Sequence, residues 1–518
     1  MQRKGNAVKL IMFLVGIALL IASPARAQGI SLIDILVAKG VLSKAEAQKL
    51  RSQKGEAREQ AALIAVLKAK GILDEKDVDQ LQPLPVVAAS PEVQERLHRL
   101  ESQQQTLVTQ TQTQAEQQAN AVEDLKKTTV ADVKKNIDWL NRISLFGDIR
   151  VRQEGFYQDT VAARNRQRLR LRFGARIQVS DELEGGLRLV SGDPNEIIAN
   201  NQTLTDSFTR KPINIDNAYI TIRPGKTLGL ERQFFSITGG KFSVPFFRPR
   251  AVMASELLFD EDLSPEGLAE DITVFEGKEG AVVRSVKLAT GQWAIKEFAA
   301  DRDAFMLGEQ VQVALAPTPK TQLTLAAADY YFLRSDAVAQ ERNRNTQLVL
   351  TNSVVLKDGT VVRGGDVIAP NANNSIRRFA GGFHIFNASA QFAWDTGYAQ
   401  WPFTLMVEFA HNFQAKFGDD NAYLIGAGIG QTKNPGDWAF SAAWTRIETD
   451  AVLSMFTLSD YGRRGGTNVQ GPIAKIDYML LPRLTLTAKG FFVNFVDRPK
   501  GLPNSSVNRM QLDAQFVF

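Results

Sequence analysis

Residues 166–179 read RQRLRLRFGARIQV. Arg168, Arg170, Arg172 and Arg176 share one parity, and Leu169, Leu171, Phe173, Ala175, Ile177 and Val179 share the other. A period of two is that of a strand, whose successive side chains point to opposite faces. One face is therefore apolar and the other strongly basic. In a soluble half-buried sheet the apolar face meets a core and the arginines meet water. In a membrane barrel the apolar face meets lipid and the arginines meet a water-filled lumen. The stretch permits both readings, and the surrounding chain decides between them.

The chain has 518 residues, no cysteine and a formal net charge of +5. Its mean hydropathy of −0.16 is too polar for a bundle of spanning helices and suits strands that are half apolar. After the first two dozen residues no apolar run reaches the length of a spanning helix. Zero cysteines excludes disulfides, thiolate metal sites and covalently attached c-type haem. The small positive charge says little about partners, and nothing points to nucleic acid.

The amino terminus reads as a secretory signal. Arg3, Lys4 and Lys9 precede an apolar run from Leu10 to Ala22, and Ala25-Arg26-Ala27 forms a cleavage site, giving a signal at 1–27. Residues 31–50 and 62–81 repeat at a fixed offset, with Leu32/Leu63, Leu36/Leu67, Gly40/Gly71 and Leu50/Leu81 matched. The spacing predicts a paired helical repeat over 28–82, with Ser43 and Glu46 forming a capping box. A Pro-containing linker follows at 83–91. Residues 92–140 carry Val93, Leu97, Leu100, Leu107, Ala121 and Leu125 at heptad positions, a polar seam that fits a periplasmic coiled coil. The repeat and coiled coil are candidates for docking a cell-wall or periplasmic partner.

From 141 to 518 period-two segments dominate. They include ISLFGDIRVRQEGFY, TQLTLAAADYYF, PFTLMVEFAHNF and the closing MQLDAQFVF, and suggest about sixteen antiparallel strands. Short turns fall at Ser180–Glu182, Pro224–Lys226, Gly277–Gly280, Pro317–Pro319, Asp395–Gln400, Asn434–Gly436 and Leu481–Arg483. Longer connections alternate with them at 192–212, 245–266, 334–376, 449–468 and 498–506, with shorter ones near 160, 300 and 416. Every short turn then lies at the end that holds the termini, which is the parity of an outer-membrane barrel. A sandwich or propeller has no need of it, and no blade repeat is visible.

Three stretches carry a resemblance: RQRLRLRFGARIQVSDELEGGLRLVSGD (166–193), LLFDEDLSPEGLAED (257–271) and TRIETDAVLSMFTLSDYGRRGGTNVQGPIAKIDYML (445–480). With the terminal Phe518, they make the chain similar to the bacterial outer-membrane proteins called putative porins. The resemblance implies an all-β transmembrane barrel among outer-membrane lipids, a passive pore, and a homotrimer. It also implies that barrel-assembly machinery recognises the last strand at Phe518. It says nothing about 31–81.

Sixteen strands enclose an aqueous channel that something must narrow. The connection after the fifth strand, VPFFRPRAVMASELLFDEDLSPEGL, is the third long-end loop, and in porins of this size that loop commonly folds inward. Asp260, Glu261 and Asp262, or Arg248 and Arg250, are the candidate constriction residues. They would face wall arginines drawn from Arg150, Arg152, Arg168, Arg170, Arg172, Arg176 and Arg188, setting a transverse field with a mild anion preference. In the alternative, these arginines pair with Asp148, Glu154 and Glu184 and stiffen the wall. FDEDLSPEG lacks the spacing of a calcium loop, so no metal or cofactor is expected. Of two barrel histidines, His384 and His411, only His411-Asn412 offers a pairing, and no G-x-S-x-G accompanies it, which argues against an enzyme. The rival from another class is a sheath around a partner such as a multihaem cytochrome. The segment 334–376 reads as an exposed hairpin with a β-prone middle.

Overall fold

The computed structural model describes residues 43–51, 56–69 and 138–518, with breaks at 159–160, 206, 231, 300–301, 347–348, 365, 367–374, 462–465 and 502–505, plus isolated positions before 138. It divides into two units, Met1–Leu125 and Lys126–Phe518. In the first, α1 (Lys44–Arg51) and α2 (Glu56–Ala69) pack through Ala47 and Leu50 against Ala62, Leu63 and Val66. Ser43 N–H donates to Glu46 Oε2 at 2.8 Å and Glu46 N–H to Ser43 Oγ at 3.3 Å. This reciprocal cap satisfies donors that a bare helix start leaves open. The expected signal, the 83–91 linker and nearly all of the expected coiled coil at 92–140 lie outside the described residues.

The second unit is a closed sheet. Its strands are β1 (Ile143–Gln158), β2 (Val161–Gln178), β3 (Leu183–Ser191), β4 (Ile213–Ile222), β5 (Phe235–Lys241), β6 (Glu266–Glu276), β7 (Val283–Lys296) and β8 (Ala304–Thr318). They continue as β9 (Thr321–Leu333), β10 (His384–Trp394), β11 (Phe403–Asn412), β12 (Asn421–Gly430), β13 (Trp438–Ile447), β14 (Val469–Leu481), β15 (Leu484–Phe495) and β16 (Val507–Val517). Seventeen segments pair in this sheet, and setting aside the two-residue Gln202–Thr203 leaves sixteen staves. Each stave is antiparallel to its sequence neighbours, and β1 pairs with both β2 and β16, which closes the barrel.

Pleating explains which residues face where. On β1 and β2, Ile149, Val151, Phe173 and Ile177 are exposed on the outer face, while Asp148, Arg152, Glu154, Arg168 and Arg170 are buried on the inner one. The apolar outer face continues through Leu187, Ile220, Val311, Val407, Ile425, Ile476 and Leu512. A membrane-spanning barrel requires such a surface, and a soluble protein rarely tolerates it. The turns read from sequence do lie at the end that holds the termini, and at the opposite end the connections 159–160 and 297–303 are short as well. The β4–β5 connection, at 223–234, is longer than the turn read at Pro224–Lys226. It folds back because Glu182 accepts from Thr227 N at 2.8 Å and Thr227 Oγ1 at 2.6 Å.

A glycine sits at the end of the closing seam. Gly147 N donates to Phe518 O at 3.1 Å, and Phe518 N returns to Gly147 O at 3.0 Å. A Cβ at 147 would sit 2.3 Å from Arg172 O and 2.6 Å from the Phe518 ring. Gly147→Val is therefore expected to block the final seam, read as loss of the compact heat-modifiable band on unheated SDS gels. An unchanged band contradicts this account of closure.

Loops from the opposite end enter the barrel. The fifth loop, 334–383, is not the exposed hairpin expected: Val354–Leu356 pairs with Val361–Val362 and with Ile376–Phe379, and Val354 and Phe379 are each 1% exposed. Asn352 Nδ2 donates to Thr449 O and Val452 O, both at 2.8 Å. The reason lies in the seventh loop, 448–468, whose Val452, Leu453, Met455 and Phe456 need apolar cover.

Candidate functional site

The inner wall has two sectors. On β7 to β13 it is small or apolar, with Gly291, Trp293, Met306, Gly308, Tyr330, Met406, Leu424 and Gly428 facing inward. The third loop, 242–265, covers this sector. Its Phe246 and Phe259 meet Tyr330 edge to face at 5.1 and 5.2 Å, and Phe259 lies 5.3 Å from Trp293. Phe247 N donates to Gln310 Oε1 at 2.6 Å, and Arg250 N to Gln391 Oε1 at 2.8 Å. Like the porin loops its position suggested, it crosses the lumen.

On β14 to β16 and β1 to β4 the inner wall is charged. Strand pairing sets Arg150 opposite Arg170 and Arg152 opposite Arg168. Like charges directly opposed destabilise a sheet, and carboxylates from neighbouring strands offset them. Arg152 makes a two-point bond to Asp513, at 2.7 and 2.8 Å. Arg170 grips Asp148 at 2.7 Å, and Arg188 pairs with Asp216. Arg150 Nη2 instead donates to Asn201 Oδ1 at 2.7 Å, and Arg168 Nη2 to Asn201 O at 3.0 Å. Arg176 pairs with Glu184 at 3.4 Å.

The five loop candidates separate. Asp262 reaches the arginine wall, accepting from Arg172 and from Asn200 N at 3.1 Å. Glu261 pairs with Arg250 of its own loop at 2.7 Å. Arg248 donates to Phe259 O at 3.0 Å and braces the loop. Asp260 turns toward the seventh loop, accepting from Ser459 N at 3.3 Å, while its own N–H donates to Phe456 O at 2.7 Å. Of the two histidines, His411 Nδ1 lies 3.0 Å from Asn421 Oδ1, and His384 Nε2 lies 2.9 Å from Asp329. Asn412, the partner read from sequence, holds backbone carbonyls of Gly382 and Asp450 instead.

Sequence reading missed a second crossing loop. Asp460 in the seventh loop bonds Arg509 at 2.6 Å, lies 3.6 Å from Arg152 and accepts from Gln511 at 2.9 Å. Glu154 accepts from Arg166 and Arg509. Arg509 was legible in the alternation of 507–517. The signal for the seventh loop was AVLSMFTL, an apolar run in a connection too long for a turn.

Protonation bears on the loop's seat. Burial, then the nearby Glu261, pushes Glu256 up to about 7, with Lys489 and Arg248 offsetting part. Burial, with Glu256 and Asp262 beside it, also holds Asp260 well above the carboxylate range. Burial would raise Asp262 too, but Arg172, Arg170 and Arg150 outweigh it and hold the carboxyl at about 2. A raised folded value means stabilisation that is whole at low pH and lost as pH rises through it. Glu256 therefore weakens the seat as pH climbs from its ordinary 4.5 through about 7. Asp262, depressed from 3.8, supports the seat above that value and fails it only as pH falls through about 2. Current noise from the loop is expected to grow between about pH 5 and about pH 8, and to grow less in Glu256→Gln. Equal noise across that range contradicts the expectation.

Residues 155–518 match the sequence family described as "Putative porin". Comparison with curated proteins gives no match. Among solved structures the chain is similar to OprB of Pseudomonas putida, at 11% identity and a TM-score of 0.46, covering 74% of this chain and 96% of that one. It is similar also to an anion-selective porin from Comamonas acidovorans, at 10% identity and a TM-score of 0.40, covering 73% and 99%. OmpF of Salmonella typhi, in complex with daunomycin, gives 10% identity, a TM-score of 0.40, and coverage of 73% and 97%.

Proposed function

The chain belongs to the putative porin family, and from that premise we propose a passive pore for small hydrophilic solutes with a mild preference for anions. Family and closed barrel together make it an outer-membrane channel. The preference rests on four ion pairs whose cation is the more exposed member. In Arg176–Glu184 the arginine side chain is 54% exposed and the carboxylate 11%. Arg223–Glu184 gives 31% against 11%, Lys475–Asp477 21% against 7%, and Arg250–Glu261 58% against 44%. In these four pairs the cation is the more exposed member, while Lys241–Glu266 exposes its carboxylate, 63% against 31%, and low-dielectric walls focus the resulting field on passing solutes.

Arg150, Arg152, Arg168, Arg170, Arg172 and Arg188, read first as pore-lining, then act mainly as the buried frame behind these groups, and Asp262 as the strut that fixes the third loop. Reversal potential in a salt gradient tests the reading. Wild-type protein is expected to be anion-selective, and the triple change Arg176→Gln, Arg223→Gln and Arg250→Gln to bring selectivity close to neutral. A cation-selective wild type overturns it.

A sheath around a multihaem cytochrome needs a vacant lumen, and the third and seventh loops occupy this one. The homotrimer, the recognition of Phe518 by barrel-assembly machinery, and a periplasmic or cell-wall partner for 28–140 belong to the same proposal. The first two rest on the family resemblance, the third on the helical repeat. Cross-linking in native membranes tests the trimer.

A further inference from the structure

At the loop end, beside the arginine sector, lies a cavity of about 380 Å³ walled by the second, third, fifth and seventh loops and the ends of β3, β4, β6 and β7. We propose that this cavity binds a small organic ammonium ion with an apolar body and an oxygen acceptor. Its size falls among small-molecule sites, which bury a ligand against apolar walls and orient it with few polar groups. Here Ile197, Val338 and Phe456 supply apolar lining.

Charge pairing identifies the ligand class. Of the acidic groups on the lining, Asp216 is taken by Arg188, Asp262 by Arg172, Glu266 by Lys241 at 2.8 Å, and Glu341 by Lys296 at 3.3 Å. Asp193 and Glu196 remain without a cationic partner within contact among the described residues. Asp193 Oδ1 accepts from Asn195 N and Nδ2, at 2.9 and 3.2 Å. The Glu196 carboxylate makes no hydrogen bond or ion pair with any described residue. Arg168 and Arg166, whose charges act on it, are committed to Asn201 and to Glu154. Burial pushes the Glu196 carboxyl up, and those guanidinium groups offset part of the rise.

A half-buried carboxylate without a partner is costly, and an ammonium ion relieves that cost. The acceptor requirement comes from a separate residue. Asn200 lines the same cavity, is 7% exposed, and its Nδ2 is without a hydrogen-bond partner. A buried donor left unmade is met by an oxygen on the occupant once the Asn200 amide turns toward the cavity.

Calorimetry on the detergent-solubilised full chain tests the proposal without requiring conduction, so its outcome is separable from that of the selectivity reading. Tyramine and 4-hydroxyphenylacetate share a ring and a phenol and differ in the sign of charge. Tyramine is expected to bind saturably, the anion at least roughly tenfold more weakly, and Glu196→Gln to lose roughly tenfold for tyramine alone. Equal binding of the two probes, no heat with tyramine, or an unaffected Glu196→Gln overturns the proposal. Should Glu196→Gln not fold, the comparison of the two probes on wild type decides.

Discussion

Gly428→Leu is expected to unseat the third loop and change single-channel conductance severalfold. The loop meets the wall at residues too small to obstruct it. A Cβ at Gly428 would lie 2.9 Å from both C and O of Ala251 and from Val252 Cγ2. Those atoms belong to a tight reversal in which Arg250–Ala251 pairs with Met253–Ala254 around Val252 at φ 63°. A β-branched residue in the left-handed region is strained and persists only when its surroundings hold it. The reversal therefore has little freedom to shift sideways, and a leucine displaces it into the lumen or out of it. Overpacking of this kind costs about 1–3 kcal/mol, so the barrel itself should survive. Gly308→Leu, where a Cβ would meet the Phe246 ring at 2.9 Å, should act in the same direction. Unchanged conductance in both variants, with the barrel folded, contradicts the seat described for the loop.

Glu154→Ala is expected to produce the largest loss of stability of any single carboxylate in the wall. Its side chain is fully buried and receives Arg166, Arg509 Nε at 2.8 Å and Gln511 Nε2 at 2.9 Å, with Arg168 at 3.9 Å. Arg166 and Arg509 also lie over the Phe156 ring, at 5.1 and 4.8 Å, so they have no room to swing into water. Removing the carboxylate leaves Arg166 and Arg168 without an acidic partner among the described residues and Arg509 with Asp460 alone, which costs about 3–5 kcal/mol. Glu266→Ala is the control. Its pair with Lys241 is 63% exposed on the acidic side, and such a pair contributes under about 1 kcal/mol. The temperature at which the folded band is lost on gels should fall sharply for the first and hardly move for the second. Equal shifts contradict the picture of a buried ionic frame.

The alternation in 166–179 was enough to orient β2, and the parity of turns and loops was enough to number the loops, the porin resemblance then picking the third as one that enters. What alternation fixes is the face, not what covers that face. NAYLIGAGIG (421–430) is apolar on both faces, because Ala422, Leu424 and Gly428 pack under loops while Ile425 and Ile429 stay on the outside. That pattern was visible, but its cause is a tertiary contact. The arginine stripe shows the same limit. Period two places Arg152, Arg170 and Arg176 on one side, yet only the partners that other strands and loops bring decide that the first two are buried and the third is solvated. Asp262 was found from its place in the third loop. Asp460 was not, since nothing local distinguishes a loop carboxylate that reaches Arg509 from one left in water.

The chain has no native cysteine, so a single introduced thiol gives one labelling site. Nitroxide labels placed one at a time at positions 168 to 173, in protein reconstituted into lipid vesicles, test the central claim most directly. Collision with oxygen dissolved in lipid should be high at 169, 171 and 173 and low at 168, 170 and 172. Collision rates that are uniformly low, or that follow a helical period, would contradict the barrel wall and the pore it encloses.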